Sequence, residues 1–219
     1  MFSYIYMKIL ESKPGRYDRG ISWLSFGRAD KQKKEIADRA VRAGDKVLDI
    51  GAGTGTLALL CAERDAEVIG MDASAAMLAV AEQKRKAHPK GGQVHFVEAG
   101  VAEMDTAFEQ GAFDVATASL VFSELSEDEQ RYALAQAHRV LKSEGRLVVA
   151  DETRPQGFFR RILYHLVRFP LALITFLFTQ TTTRPVTDLE KKVSEAGFDI
   201  EKVERRNLRS FFILYATKR

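Results

Sequence analysis

Between residues 45 and 153 the chain alternates short apolar runs with longer segments whose apolar positions recur every three to four residues. Residues 46–50 (KVLDI) form one such run and end in a glycine-rich turn. Residues 67–71, 94–98, 113–119 and 146–150 repeat the pattern, and each predicts a short strand. The intervening segments 56–64, 74–88 and 127–141 predict helices, the last one stopping near Gly145. In 74–88, Met77, Leu78 and Ala81 share a face, Ser74 suits the N-cap and Pro89 stops the helix. Strands alternating with helices predict βαβ units, hence an α/β, doubly wound, Rossmann-like sheet. Right-handed crossovers put its ligand crevice at the carboxyl ends of the strands.

The tail breaks that rhythm. Residues 188–196 predict a helix with Gly197 at its end. Residues 199–206 and 210–217 predict two strands too close together for a crossover, so they should pair antiparallel. Phe211, Ile213 and Tyr215 alternate with Phe212, Leu214 and Ala216, so both faces of the last strand are apolar and should be covered. The prediction is a seven-strand, mostly parallel sheet whose last strand alone is antiparallel.

Residues 157–180 are unusually apolar. The run FPLALITFLF at 169–178 is too short to span a bilayer, and it predicts a helical insertion (154–186) after the fifth strand, broken at Pro170. Three readings stand for it: a helix pair on the core, a lid over an acceptor pocket, or a membrane-surface contact helped by Arg160 and Arg161. With residues 1–28 as an N-terminal cap segment, 1–219 reads as a single domain, monomeric or dimeric.

At 46% hydrophobic and 29% charged residues, the composition excludes a disordered or collagen-like chain. A single cysteine, Cys61, excludes an intramolecular disulfide and a multi-cysteine metal site, and suits a reducing compartment. No cleavable leader is expected from the first residues, so the expected location is cytoplasmic, or peripheral to the membrane through residues 157–180. The 33 basic and 30 acidic residues leave a net charge of +3, too balanced to imply nucleic acid. The basic clusters at 31–34 (KQKK), 84–86 (KRK), 160–161 and 205–206 read as solvated faces.

The chemistry concentrates in Asp49-Ile50-Gly51-Ala52-Gly53-Thr54-Gly55-Thr56. Glycines between a strand and a helix let backbone N–H groups approach a ligand. Thr56 stands where a dinucleotide fingerprint has its third glycine, and Asp49 at the strand end would repel a pyrophosphate. Asp72, at the tip of the second strand, can take both hydroxyls of a ribose. The ligand so described has a ribose and a cationic amine and no pyrophosphate. S-adenosylmethionine fits, and its carboxylate is expected on the loop amides. A nicotinamide-dependent dehydrogenase does not fit.

These motifs, with Gly100-Val101-Ala102, Phe113-Asp114-Val115 and the terminal hairpin, make residues 17–219 resemble the class I S-adenosylmethionine-dependent methyltransferases. Within that class the chain resembles the ubiquinone/menaquinone-biosynthesis type. It is more similar still to the corrinoid protein-associated subgroup through Met7 to Ser12, Arg16 to Gly20, Phe122 to Leu125, Ala150-Asp151-Glu152 and Gln180 to Thr183. The resemblance implies that Gly51, Ala52 and Gly53 pass under the methionine part with Asp49 near its amine, and that Asp72 holds the ribose. It places Ala73 and Met77 near the adenine and Ser119 and Leu120 beside the sulfonium, and implies S-adenosyl-L-homocysteine as product. The acid that the family often carries after the third strand is replaced here by Val101, between Gly100 and Ala102, which leaves the backbone or Glu103 for the adenine amino group. Tyr17 resembles a tyrosine that closes over the cofactor.

Tyr17, Glu124 and Asp151 are the candidate catalytic residues, and no metal ligand set is expected. Methyl transfer from a sulfonium depends mainly on alignment. It needs a base only when the nucleophile loses a proton. Two acceptors fit: an apolar ring, such as a lipid-soluble quinone or lipid at the membrane face, or a strong nucleophile such as the cobalt of a corrinoid or corrinoid protein. The subgroup resemblance favours the corrinoid. A non-catalytic S-adenosylmethionine-binding partner protein is the remaining alternative.

Overall fold

A computed structural model describes residues 28–152, 186–206 and 211–219. Tyr17, the cap segment before Arg28 and the insertion at 157–180 lie outside the described residues.

Helix α1 (Arg28–Ala40) precedes strand β1 (Lys46–Ile50), and helix α2 (Thr56–Ala62) follows the glycine-rich turn. Strand β2 (Glu67–Asp72), helix α3 (Ala75–Ala87) and strand β3 (Val94–Glu98) come next. A 3₁₀ turn (Val101–Glu103) and the one-turn helix α4 (Met104–Ala107) lead to strand β4 (Phe113–Ser119). Helix α5 (Glu127–Val140), strand β5 (Leu141–Glu152), helix α6 (Leu189–Glu195) and strands β6 (Phe198–Arg206) and β7 (Phe211–Lys218) complete the described chain.

The seven strands run in the order β3-β2-β1-β4-β5-β7-β6. Strands β1 to β5 pair in parallel, whereas β7 pairs antiparallel with both β5 and β6, so β7 alone is reversed. Its two apolar faces are covered as expected. Phe212, Leu214 and Ala216 join one core with Leu147, Val149 and the α5 residues Ala133, Leu134 and Ala137. Phe211 and Ile213 join the opposite core with Val148, Ala150, Ile36 and Ala37 of α1, and the α2 residues.

Three local readings change. Helix α5 ends at Val140, because Leu141 is already extended and pairs with Phe113, so Gly145 does not stop the helix. It lies instead in an irregularity where the register shifts before Val115 meets Arg146. Helix α1 is not evident from the sequence pattern: among its residues 29–40, only Ile36, Ala37 and Ala40 are buried. The basic clusters are not uniformly solvated. Lys31 and Lys34 are exposed, whereas Lys33 is half-buried. Lys84 donates to the Thr56 hydroxyl at 2.7 Å, and Arg206 clamps Glu35 with two 2.6 Å bonds.

Candidate functional site

Strand order reverses direction between β1 and β4, and a crevice opens beyond the carboxyl ends at such a switch point. A cleft of about 370 Å³ lies there. Gly51 to Thr54 after β1, Met71 to Ser74 at the end of β2 and just past it, Ala99 to Val101 after β3 and Ser119 to Val121 at the end of β4 and just past it contribute its walls, with Met77, Glu124, Leu125 and, from α1, Ala29 and Lys33.

The turn after β1 fits its neighbours closely. Gly51 has φ +67, and a Cβ there would lie 2.3 Å from the Val121 side chain. Only glycine permits both the left-handed backbone and that approach. Leu120 answers from the other side. It also adopts a left-handed conformation, φ 63, and its N–H donates to the Ala150 carbonyl at 2.8 Å. A branched residue held there carries strain of about 1 kcal/mol or more. The bend turns the chain after β4 so that Val121 meets Gly51.

Asp72 is the hub of the two loops. One carboxylate oxygen accepts from Gly53 N–H and the other from Ser74 N–H, both at 2.8 Å. An ionised carboxylate has about four acceptor sites. Two remain, and they suit a pair of ribose hydroxyls. Ser74 caps α3 by accepting from the Met77 N–H at 3.3 Å, which fixes Met77 on the cleft wall.

Asp49 does not line the cleft. It is 1% exposed, on the face of β1 that packs against α1 and α2, with its Oδ1 accepting from the Thr117 hydroxyl at 2.7 Å. Its Oδ2 is buried and has no hydrogen-bond partner. Burial pushes its pKa up to about 6. The Thr117 hydroxyl, the Lys33 charge and the Ala58 amide offset part of that, and the neighbouring Asp72 charge adds to it. A buried oxygen with unused acceptor capacity costs free energy until a donor reaches it. Lying behind the cleft wall, Asp49 can act on an ammonium in the cleft through its charge rather than by direct contact, and the Asp72 tip suits a ribose, which together fit S-adenosylmethionine.

Expected contacts of the loop amides change. The N–H groups of Ala52, Gly53 and Gly55 already donate to Met71 O, Asp72 Oδ2 and Ala52 O at 2.8, 2.8 and 2.9 Å. Glu103 is likewise engaged, accepting from Gly100 N–H at 2.8 Å in a reciprocal cap of the 3₁₀ turn. Gly100, Val101 and Ala73 border the cleft, whereas Ala102 is exposed and off its wall.

Among the catalytic candidates, Glu124 is exposed and lines the cleft. Asp151, expected at the crevice, is instead 0% exposed and does not face it. Register opposite Phe212 turns its side chain toward the α5 side of the sheet, where Oδ2 accepts from Ser123 N–H at 3.0 Å.

Two buried residues with no sequence signature of their own complete that arrangement. Gln130 of α5 donates to the Phe122 and Leu125 carbonyls at 2.8 and 3.1 Å, and Lys192 of α6 donates to the Gln130 side-chain oxygen at 2.8 Å. Asp151, Gln130 and Lys192 thus pin the chain from Phe122 to Leu125, which carries Glu124 to the cleft. Among the described residues no group of three His, Cys, Asp or Glu side chains is placed to hold a metal ion.

Comparison with known proteins agrees with this geometry. A methyltransferase-domain family model matches residues 47–145. The demethylmenaquinone methyltransferase of Thermus thermophilus is 39% identical over 148 residues, covering 66% of this chain and 64% of that enzyme. The demethylmenaquinone methyltransferase of Geobacillus kaustophilus is 32% identical over 171 residues, covering 76% and 71%. Neither name refers to a corrinoid. Among solved structures, the magnesium protoporphyrin IX methyltransferase of Synechocystis PCC 6803, with bound S-adenosylhomocysteine, superposes with a TM-score of 0.67 at 20% identity, covering 88% of this chain and 82% of that one. The last likeness concerns the fold. From the cleft, the glycine turn and these relatives together it follows that the chain belongs to the class I S-adenosylmethionine-dependent methyltransferases and resembles their ubiquinone/menaquinone-biosynthesis type.

Proposed function

We propose that the chain methylates a ring carbon of a reduced, lipid-soluble quinone. The observation that carries this reading is the 39% identity to a demethylmenaquinone methyltransferase over 148 residues, 66% of the chain. The cleft supports it: Met71, Met77, Val101, Leu120, Val121 and Leu125 give it apolar walls suited to an aromatic ring. Bound S-adenosylmethionine supplies a methyl group already activated on a sulfonium. The chain's own part is to hold that methyl in line with the ring, and alignment of this kind supplies about 7–11 kcal/mol in well-oriented reactions.

Carbon methylation forms a C–C bond, breaks the sulfonium C–S bond and releases one ring proton. Glu124 is the exposed carboxylate on the cleft wall, and it takes that proton or passes it to water. Asp72 holds the ribose, and Val121 and Leu120 close over Gly51. Asp151, Gln130 and Lys192 act through the loop they pin. Tyr17 retains its proposed place over the cofactor.

The test is transfer of labelled methyl from S-adenosylmethionine to a panel: a reduced demethylated naphthoquinone in detergent, the same quinol in liposomes, and cob(I)alamin. Label on the quinol ring supports the reading. Label on cobalt alone overturns it in favour of a corrinoid acceptor, and cofactor binding without transfer to either favours a non-catalytic binding protein.

A further inference from the structure

The methionine end of the cofactor is a zwitterion, so its site needs a partner for a carboxylate as well as for an ammonium. The described cleft is rich in acid: Asp72 and Glu124 line it, and Asp49 lies just behind β1. Three of the loop amides that would ordinarily meet a carboxylate, those of Ala52, Gly53 and Gly55, are committed to Met71 O, Asp72 Oδ2 and Ala52 O. A carboxylate entering beside those acids would be repelled unless a cation stood near.

Among the described residues that line the cleft, Lys33 alone is basic. Its position follows from α1. Ala29, Lys33, Ile36, Ala37 and Ala40 recur at helical spacing, and the last three are buried against the sheet face that also carries Asp49. Lys33 therefore continues the buried stripe to the cleft edge, while Lys31 and Lys34 point to solvent. Its charge favours the ionised form of Asp49, which places the two within electrostatic reach.

We infer that Lys33 is the residue that binds the carboxylate of the cofactor's amino-acid end, with Asp49 compensating its ammonium. The inference rests on S-adenosylmethionine as the ligand and assigns a residue of that site. A lysine stem packed along α1 with its head at the cleft edge suits this role, because the apolar part stays covered while the ammonium meets the anion. The pair also gives the site polarity. A ligand that keeps the amine and lacks the carboxylate forgoes the contact with Lys33, so the site discriminates against it.

The experiment is calorimetric titration of the full chain and its K33M, K33Q and K33R variants with two probes. One is S-adenosylhomocysteine. The other is its decarboxylated analogue, which keeps the ammonium and lacks the carboxylate. The expected result is that the wild type prefers S-adenosylhomocysteine by about tenfold or more, as for a charge-assisted hydrogen bond. K33M and K33Q should erase that preference by weakening S-adenosylhomocysteine alone, and K33R should keep most of it. Equal weakening of both probes would mean a structural role and would overturn the inference, as would no change in either. A wild type that binds neither probe overturns the cofactor reading itself, and the Lys33 assignment with it.

Discussion

Replacing Asp49 with asparagine should stabilise the ligand-free protein at neutral pH and destabilise it at acid pH. Asp49 is 1% exposed, and burial raises its pKa from 3.8 to about 6. That gap corresponds to about 3 kcal/mol of cost in keeping the buried carboxylate ionised at pH 7. Because the folded-state value is the higher one, the folded protein binds more protons than the unfolded chain between about pH 4 and 6. Stability contributed by this group is thus fully present below about pH 4 and is lost as pH rises to about 6. Asparagine removes the charge and can still accept from the Thr117 hydroxyl, but it leaves an amide N–H₂ where Oδ2 had no partner. That group costs about 1–2 kcal/mol. The net expectation is about 1–2 kcal/mol of stabilisation at pH 7, and a similar destabilisation near pH 4, where the aspartate is already neutral. For a chain of this size, each kcal/mol moves the melting temperature by about 2–4 °C. Melting of wild type and D49N from pH 4 to pH 8 should therefore cross, with the variant higher above the crossing. S-adenosylhomocysteine should bind D49N more weakly at pH 7 although the fold is firmer. A variant that melts below wild type by the same margin at every pH would refute the buried-charge argument.

Three further outcomes follow from the same geometry. Gly51→Ala should lose about 2 kcal/mol or more of stability in urea titration and most of its S-adenosylhomocysteine affinity, because the new Cβ would sit 2.3 Å from Val121 at φ +67. Asp72→Ala should weaken S-adenosylhomocysteine by about 1.5–3 kcal/mol in calorimetry, and unchanged affinity would remove Asp72 from the ribose. Gln130→Leu leaves the Phe122 and Leu125 carbonyls and the buried Lys192 ammonium without their partner. It should cost about 2–4 kcal/mol and speed hydrogen exchange in residues 122–126, whereas unchanged exchange would free that loop from Gln130.

How much the sequence disclosed depended on whether side-chain direction was local. Strand β3 (Val94–Glu98) and strand β4 (Phe113–Ser119) stand where their apolar runs begin and end. The Gly51 turn is legible because glycine spacing after a strand encodes backbone conformation directly. Helix α1 was hidden because its buried stripe is short and Lys33 falls within it, so the lysine run reads as solvent-facing until the sheet is in place. Asp151 misled for a related reason. Its location at the end of β5 is local, but which face it takes depends on register with β7, and Leu147, Val149 and Asp151 share the α5 face. Gln130 and Lys192 carry no motif. Their partners are 5 to 62 residues away in sequence, and only the packed α5–α6 pair brings them to the loop.

The most direct test of the account is a crystal structure of the full chain with S-adenosylhomocysteine. The ligand should lie in the cleft between the ends of β1, β2 and β4, with its ribose hydroxyls on the Asp72 carboxylate and its carboxylate toward Lys33. A ligand seated elsewhere, or one that occupies the cleft with its ribose away from Asp72, would contradict it.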